Sequence, residues 1–395
     1  MKILELVESS ACGVGRHVMD LTAGLLARNH EIDLVYSDLR CDEVFRNDLT
    51  RMGAEPRLHV MRLPMRRSPH WRDLNVIRTL RRYVGDRGPF DLVHSHSTKA
   101  GLIGRMGLAG MSVRRLYSPH GFLPMDPNWG AATRRLGRLF ESALAHLCDA
   151  VVTVSKEERN YALGMGIAPE KLCLIRNGVS DTAAEERADR SALRRNWNLS
   201  DEEVCVGFVG RLVPMKAPAV AIQAFAGSGL SRGDRARLVV VGDGPLRGEM
   251  ERLAESLGIG QRVTWLGERN AKTLMHAFDV LILSSDSEAN PIVVLEALAR
   301  GLPIVATSVG GVSETVRHGV NGFVAPIRGV HEIADALMTL ANDAAMRERM
   351  GKASSELARS FSLDRMVDQT ASLYGQVISG TWKGGASVDM KLAPR

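Results

Sequence analysis

The sequence predicts an α/β protein of two doubly wound, Rossmann-like parallel-sheet domains, and three observations predict it. The chain has 395 residues, more than one ordinary core usually holds. Short β-like runs alternate with amphipathic helical stretches from end to end, which implies right-handed βαβ crossovers. Most of those runs are apolar throughout rather than alternating, as in parallel strands covered on both faces.

In chain order the strand-like runs are Lys2–Val7, Ile32–Tyr36, Leu92–His94, Arg115–Ser118, Ala150–Val154, Val204–Val209, Leu238–Val241, Val263–Leu266, Val280–Leu283 and Pro303–Ala306. After Asn177-Gly178 the pattern lapses, and a fresh series starts at Val204. We read an N-terminal domain over 1–178, a linker over 179–199 and a C-terminal domain over 200–360. A closing helix follows over 361–378, and the glycine-containing tail 379–395 is expected to be disordered.

Apolar residues make up 45% of the chain and charged residues 24%, ordinary for a soluble globular protein. Aromatics at 5% are too few for a carbohydrate-binding module lined with Trp and Tyr. No apolar run approaches the ~20 residues of a membrane span. The first strand carries Glu5, which argues against a secretory signal. Five widely spaced cysteines without C-x-x-C suggest neither a disulfide framework nor a structural zinc site, and fit a cytoplasmic protein. The formal charge of +6 is uneven: residues 57–138 hold 16 Lys/Arg against 4 Asp/Glu. Such a field attracts anionic partners. Met61, Leu63, Met65 and Trp71 interleave with its arginines.

In doubly wound sheets, ligands bind beyond the carboxyl ends of the strands, so the residues just after each strand carry the functional information. After the run at 280–283 comes Ser284-Ser285-Asp286-Ser287-Glu288-Ala289-Asn290-Pro291-Ile292. Asn290 suits an N-cap and Pro291 the first helical position, so the helix start forms an anion site. Glu296 sits on that apolar helix and needs a partner: an arginine such as Arg300 or Arg317, or the vicinal hydroxyls of a ribose. After the run at 204–209, Gly210, Arg211 and Lys216 place two cations beside a helix start, as a diphosphate requires. After the first strand, Gly13 and Gly15 allow backbone amides to approach a phosphate, although the third glycine of a dinucleotide fingerprint is replaced by Val18. Alternation puts His94 and His96 on one face. H-x-H could supply two zinc ligands, but no third ligand is apparent, so no metal is expected. His120 follows another strand, where it is either a turn residue or a contact to a reacting group.

Taken together these segments resemble the family-4 retaining glycosyltransferases of the GT-B fold, in their bacterial polysaccharide-biosynthesis branch. The carriers are Glu288 and Glu296 with seven residues between, the run Glu296–Thr307, Gly310-Gly311, Gly210-Arg211 with Lys216, Val241–Pro245, Asn177-Gly178 and Pro119–Phe122. Nearly the whole chain takes part. The resemblance implies two domains facing across a cleft that holds the active site. It implies that Arg211 and Lys216 hold the donor diphosphate, aided by amides near Gly13 and Gly15. Glu296 would bind the donor ribose, Glu288 with the Ala289–Ile292 backbone would contact the transferred sugar and its phosphate, and His120 would face that sugar. Glu8, His17, His96 and Lys99 are acceptor-binding candidates. The family usually has glycine where Ala289 and Ala217 stand, and glutamine in place of Met215.

The resemblance further implies a retaining, metal-independent transfer of a hexose or N-acetylhexosamine from a nucleotide-sugar donor, UDP favoured. The acceptor would be a sugar or polyprenyl-linked sugar, with no cofactor beyond the donor and no nucleic acid partner. The sequence has no D-x-D, so cations and helix N-termini must stabilise the departing diphosphate. With the basic region 57–138, a peripheral position on an anionic membrane surface is expected. Alternatives are a nucleotide-sugar epimerase or a non-catalytic sugar-nucleotide-binding protein of the same architecture, and an NAD-dependent oxidoreductase, which the incomplete glycine fingerprint disfavours.

Overall fold

The computed structural model describes residues 1–180, 189–231 and 235–385. The chain divides into two compact units: residues 1–125 with 129–178 and the segment from Leu363 onward, and residues 126–128 with 179–362. Each is a parallel sheet wrapped by helices.

The first unit has seven strands: β1 (Lys2–Val7), β2 (Glu31–Tyr36), β3 (Leu58–Arg62), β4 (Leu92–His96), β5 (Arg114–Ser118), β6 (Ala150–Thr153) and β7 (Leu172–Leu174). Their order is β3-β2-β1-β4-β5-β6-β7, with every neighbouring pair parallel. The second has six: β8 (Val204–Val209), β9 (Ala236–Val241), β10 (Val263–Gly267), β11 (Val280–Leu283), β12 (Ile304–Thr307) and β13 (Gly322–Ala325). Their order is β10-β9-β8-β11-β12-β13, again all parallel.

Burial on both faces explains the continuous apolar runs. Val206, Phe208 and Ile282 pack on one side of the second sheet with Val220, Ala221 and Phe225. Cys205, Leu281 and Leu283 pack on the other with Val294, Leu295 and Leu298. A polar residue on either face would lose water without gaining a partner.

Two boundaries differ from the sequence reading. The stretch read as a linker contains a helix, Arg190–Asn196, capped by the Asp189 side chain. It shows no apolar period because arginines fix it. Arg194 is fully buried and donates to the Ser200 carbonyl at 2.6 Å and the Ala277 carbonyl at 3.0 Å; Arg190 pairs with Asp279 at 2.7 Å. The closing helix, Leu363–Ser379, belongs to the first unit, where Met366, Val367, Leu373, Tyr374 and Val377 share a core with Leu21, Leu25 and Leu26. Most of the tail 379–395, expected to be disordered, lies outside the described residues.

Candidate active site

In each sheet the strand order reverses once, between β1 and β4 and between β8 and β11. In open α/β sheets ligands bind outside the carboxyl ends of the strands at that point. The residues singled out in the sequence gather there in both units.

In the first unit four histidines converge. His94 and His96 end β4, His120 follows β5, and His17 lies on the helix Cys12–Ala27 that follows β1. His96 Nδ1 is 3.0 Å from His120 Nε2, and His96 Nε2 is 2.7 Å from Glu5 Oε2. Glu5 is fully buried in β1. An unpaired carboxylate there would cost several kcal/mol, and Tyr374 answers by donating to its other oxygen at 3.0 Å. The Tyr374 oxygen then accepts from His94 Nδ1 at 2.6 Å, and His94 Nε2 accepts from Ser118 Oγ at 2.8 Å. Edge-on to His120, with ring centroids 4.5 Å apart, stands His17. Burial pushes the His17 and His96 imidazoles down to about 3 and those of His94 and His120 well below the usual range. All four are neutral at physiological pH. Burial also raises the Glu5 carboxyl.

The backbone is strained where it delivers these side chains. Cys12, Ser97 and His120 have φ of 52°, 79° and 53°, each in a connection leaving β1, β4 or β5. Non-glycine residues enter this region at about 1–3 kcal/mol each, and such positions cluster at functional sites. Glu158 braces the His120 turn. Fully buried, it accepts from the Gly121 amide at 2.6 Å and the Val154 amide at 2.7 Å, and burial raises its carboxyl to about 7.

The remaining candidates of this unit are engaged with protein groups. Glu8 is buried and receives Arg40 Nη1 at 2.9 and 3.1 Å. Lys99 is buried against the Ser68 carbonyl at 3.2 Å and the Asp73 carboxylate. Gly15 has a packing reason to be glycine, since a Cβ there would lie 2.9 Å from the Ser10 carbonyl carbon. Around Gly13 there is open space.

In the second unit the loops after β8 and β11 are tied together. Ser284 Oγ donates to the carbonyls of Lys216 at 3.1 Å and Ala217 at 2.9 Å, and the Asp286 amide donates to the Met215 carbonyl at 2.8 Å. Lys216 Nζ lies 2.5 Å from Glu288 Oε1, which also accepts from Ser285 Oγ at 2.6 Å. Arg211, beside Gly210, is exposed and makes no ion pair with a described residue. Asp286 is held by Arg328 at 2.9 and 3.2 Å. Gly310 meets this loop closely: its φ is 49°, and a Cβ would lie 1.6 Å from the Glu288 carbonyl oxygen. The Gly311 amide donates to the Ala289 carbonyl at 2.8 Å.

The helix carrying Glu296 spans Ile292–Ala299, with Pro291 at the capping position and no side-chain cap. This corrects the sequence reading, which capped it with Asn290 and began it at Pro291. Proline's fixed φ serves an extended cap as well as a first turn. Glu296 is 8% exposed, and Gly301 ends the helix with φ 67°.

Sequence reasoning missed the Glu5–Tyr374 bond and Glu158. Each had a signal. A carboxylate within an apolar strand demands a partner, and Ser155-x-x-Glu158 has the sequence of a capping box: Ser155 Oγ accepts from the Glu158 amide at 3.1 Å, while the Glu158 carboxylate reaches the Val154 amide instead of that of Ser155.

Residues 12–178 match the family model described as glycosyl transferase 4-like domain, and residues 189–357 match that of glycosyl transferases group 1. The D-inositol 3-phosphate glycosyltransferase of Stackebrandtia nassauensis is 32% identical over 312 residues, 74% of this chain and 69% of its own length. The enzyme of that name from Actinosynnema mirum is 30% identical over 306 residues, 73% of each. The chain belongs to the family-4 glycosyltransferases. Anabaena HepE, solved with UDP and glucose, matches this glycosyltransferase with a TM-score of 0.80 over 95% of this chain and 100% of its own, at 21% identity. The sucrose-phosphate synthase of Thermosynechococcus elongatus matches with a TM-score of 0.79 over 96% and 100%, also at 21% identity. Both carry the GT-B fold onto this enzyme.

Proposed function

We propose that this glycosyltransferase moves a hexose or N-acetylhexosamine from a UDP-sugar to a sugar or lipid-linked sugar, with retention and without a metal. The observation that carries the reading is the pairing of Lys216 with Glu288 at 2.5 Å, beside the exposed Arg211 and a helix N-terminus. Charge develops on the leaving diphosphate in the transition state, and fixed cations and amides aimed at it lower the barrier. In the free enzyme Glu288 holds Lys216 in place. When donor binds, a phosphate oxygen competes for the ammonium, and Glu288 is released to accept from hydroxyls of the transferred sugar. Glu296 accepts from the ribose, and His120 lies against the sugar. The leaving phosphate takes the acceptor proton on the same face. UDP is favoured because HepE was solved with UDP and glucose. A lipid-linked sugar acceptor agrees with WaaG, a structural neighbour named for lipopolysaccharide biosynthesis. Product mass spectrometry of a panel of UDP- and GDP-sugars, with sugar and lipid-linked acceptors, tests this. Transfer from a UDP-sugar is expected; hydrolysis or epimerisation alone would remove the transferase assignment.

Peripheral membrane attachment is the finer proposal on location. No helix among the described residues is long and apolar enough to cross a membrane. The helix Ala131–Ala145 exposes Leu136 (69%), Leu139 (64%) and Phe140 (44%) next to the exposed Arg135 and Arg138. Trp71 and Leu74 are exposed near Arg66, Arg67, Arg78 and Arg82. Apolar side chains interleaved with cations suit an anionic interface, at about 1 kcal/mol per basic residue. Two details of the sequence reading change: Leu63 and Met65 are buried core residues, and Arg105 is buried against Glu141 at 2.9 Å. Co-sedimentation should rise with anionic lipid and fall with salt. Absence of binding at low salt would leave a soluble acceptor.

A further inference from the structure

We propose that His17, His96 and His120 form a binding site for a divalent transition-metal ion, with Zn²⁺ the best match. One nitrogen from each ring lies within 4.8 Å of the others, and His96 Nδ1 and His120 Nε2 are 3.0 Å apart. Two nitrogens on one tetrahedral zinc, each at about 2.0–2.1 Å, stand roughly 3.4 Å apart. Side-chain adjustments of an ångström or less therefore close the site.

Three further features point to an ion. His17 is 7% exposed, and the Asn177 side chain hydrogen-bonds its ring, the way a ligating imidazole's second nitrogen is commonly held. His96 turns Nε2 toward Glu5 at 2.7 Å, which directs the Nδ1 lone pair at His120. A carboxylate behind a ligating imidazole fixes its tautomer and raises its basicity, and Glu5 is itself anchored by Tyr374 at 3.0 Å. Finally, the three rings come from a helix, a strand end and a loop, so the fold supplies the geometry before an ion arrives. Three imidazoles suit Zn²⁺ over Mg²⁺ or Ca²⁺, and they leave a fourth position open.

The consequence rests on the reading that puts His120 at the transferred sugar. An ion on this ring withdraws it from that contact, so the metal inhibits an enzyme whose transfer chemistry needs none.

The test uses chelator-stripped, full-length protein. Zn²⁺ retained after gel filtration is counted by atomic absorption, and Co²⁺ serves as a spectroscopic probe. One ion per chain and the intense visible bands of four-coordinate cobalt are expected. His17→Ala and His96→Ala should weaken binding by at least about 100-fold, and Glu5→Gln by about 10- to 100-fold; exposed His318→Ala should leave it unchanged. The cobalt spectrum of the unaltered protein decides the coordination without any variant having to fold. Only weak six-coordinate bands, or equal retention by His17→Ala, would overturn the site. Turnover with Zn²⁺ added separates the two readings. Inhibition reversed by EDTA supports both, whereas one bound ion per chain without inhibition supports the site and removes His120 from the sugar.

Discussion

Beyond the carboxyl ends of the first sheet, four imidazoles, a carboxylate and a phenol gather, all but His120 buried, and are mostly bonded to one another. Beyond those of the second, Arg211 is exposed and Lys216 leans on Glu288. The first cluster is neutral around one acid and is held by strained backbone. The second carries the charge on two tethered loops. On the proposed function, the difference separates the tasks. A ring that faces a sugar gains from a fixed position and no charge, while a grip on a diphosphate gains from cations whose partners are exchangeable. The same contrast says which substitutions should harm chemistry and which should harm stability.

The largest effects should fall on the cations. Lys216→Ala and Arg211→Ala are each expected to lower kcat/KM by about 100-fold or more, the range of a lost transition-state donor. Their stabilities should part. Arg211→Ala removes an exposed group and should leave the melting midpoint in place. Lys216→Ala leaves the buried Glu288 with Ser285 and no cation, and should cost about 1–2 kcal/mol. Equal melting of the two variants would show that the pair is not what holds Glu288.

A middling effect concerns the brace under His120. Burial raises the Glu158 carboxyl from 4.5 to about 7, so between those values the folded state binds more protons than the unfolded one. Stability from this group is therefore highest below about pH 4.5 and falls as pH rises toward 7, by about 3 kcal/mol at most. Glu158→Gln removes that titration. The difference in melting midpoint between the parent and Glu158→Gln should change across pH 5 to 8; a difference independent of pH would place the carboxylate's pKa elsewhere.

The smallest expected effect is on the loop that carries Lys216. Ala217 has φ 43° and ψ 52°, a left-handed conformation that suits the glycine usual in the family. Ala217→Gly should stabilise by about 0.5–1 kcal/mol with little change in kcat. A lower melting midpoint would mean that the Ala217 methyl, itself buried, contributes more by packing than its backbone costs.

Much of this was legible in the sequence, and what was not shares a cause. The ten runs read as strands all proved to be strands, because burial on both faces makes a strong apolar signal. β3, β7 and β13 went unread. Each is the end strand of its sheet or nearly as short as a strand can be: β7 has three residues, β13 four, and β3 is half exposed with His59 and Arg62 in it. The strand-end loops were legible because glycine, cations and a helix start fall together within a few residues, as around Gly210–Lys216. The histidine cluster was not, because its members come from positions 5, 17, 94, 96, 120 and 374. H-x-H appeared to lack a third ligand for this reason: His17 and His120 join His96 only when four crossovers are folded. Likewise the pairing of Lys216 with Glu288 spans three crossovers, and a reading by segments gave each a separate task.

The central claim is that cationic side chains and a helix N-terminus do the work of a metal during retaining transfer. It is tested most directly by running the reaction with an α-linked UDP-sugar in excess EDTA and reading the new anomeric centre by proton NMR. The account predicts undiminished turnover and an α-linked product. Activity abolished by EDTA and restored by Mn²⁺, or a β-linked product, would contradict it.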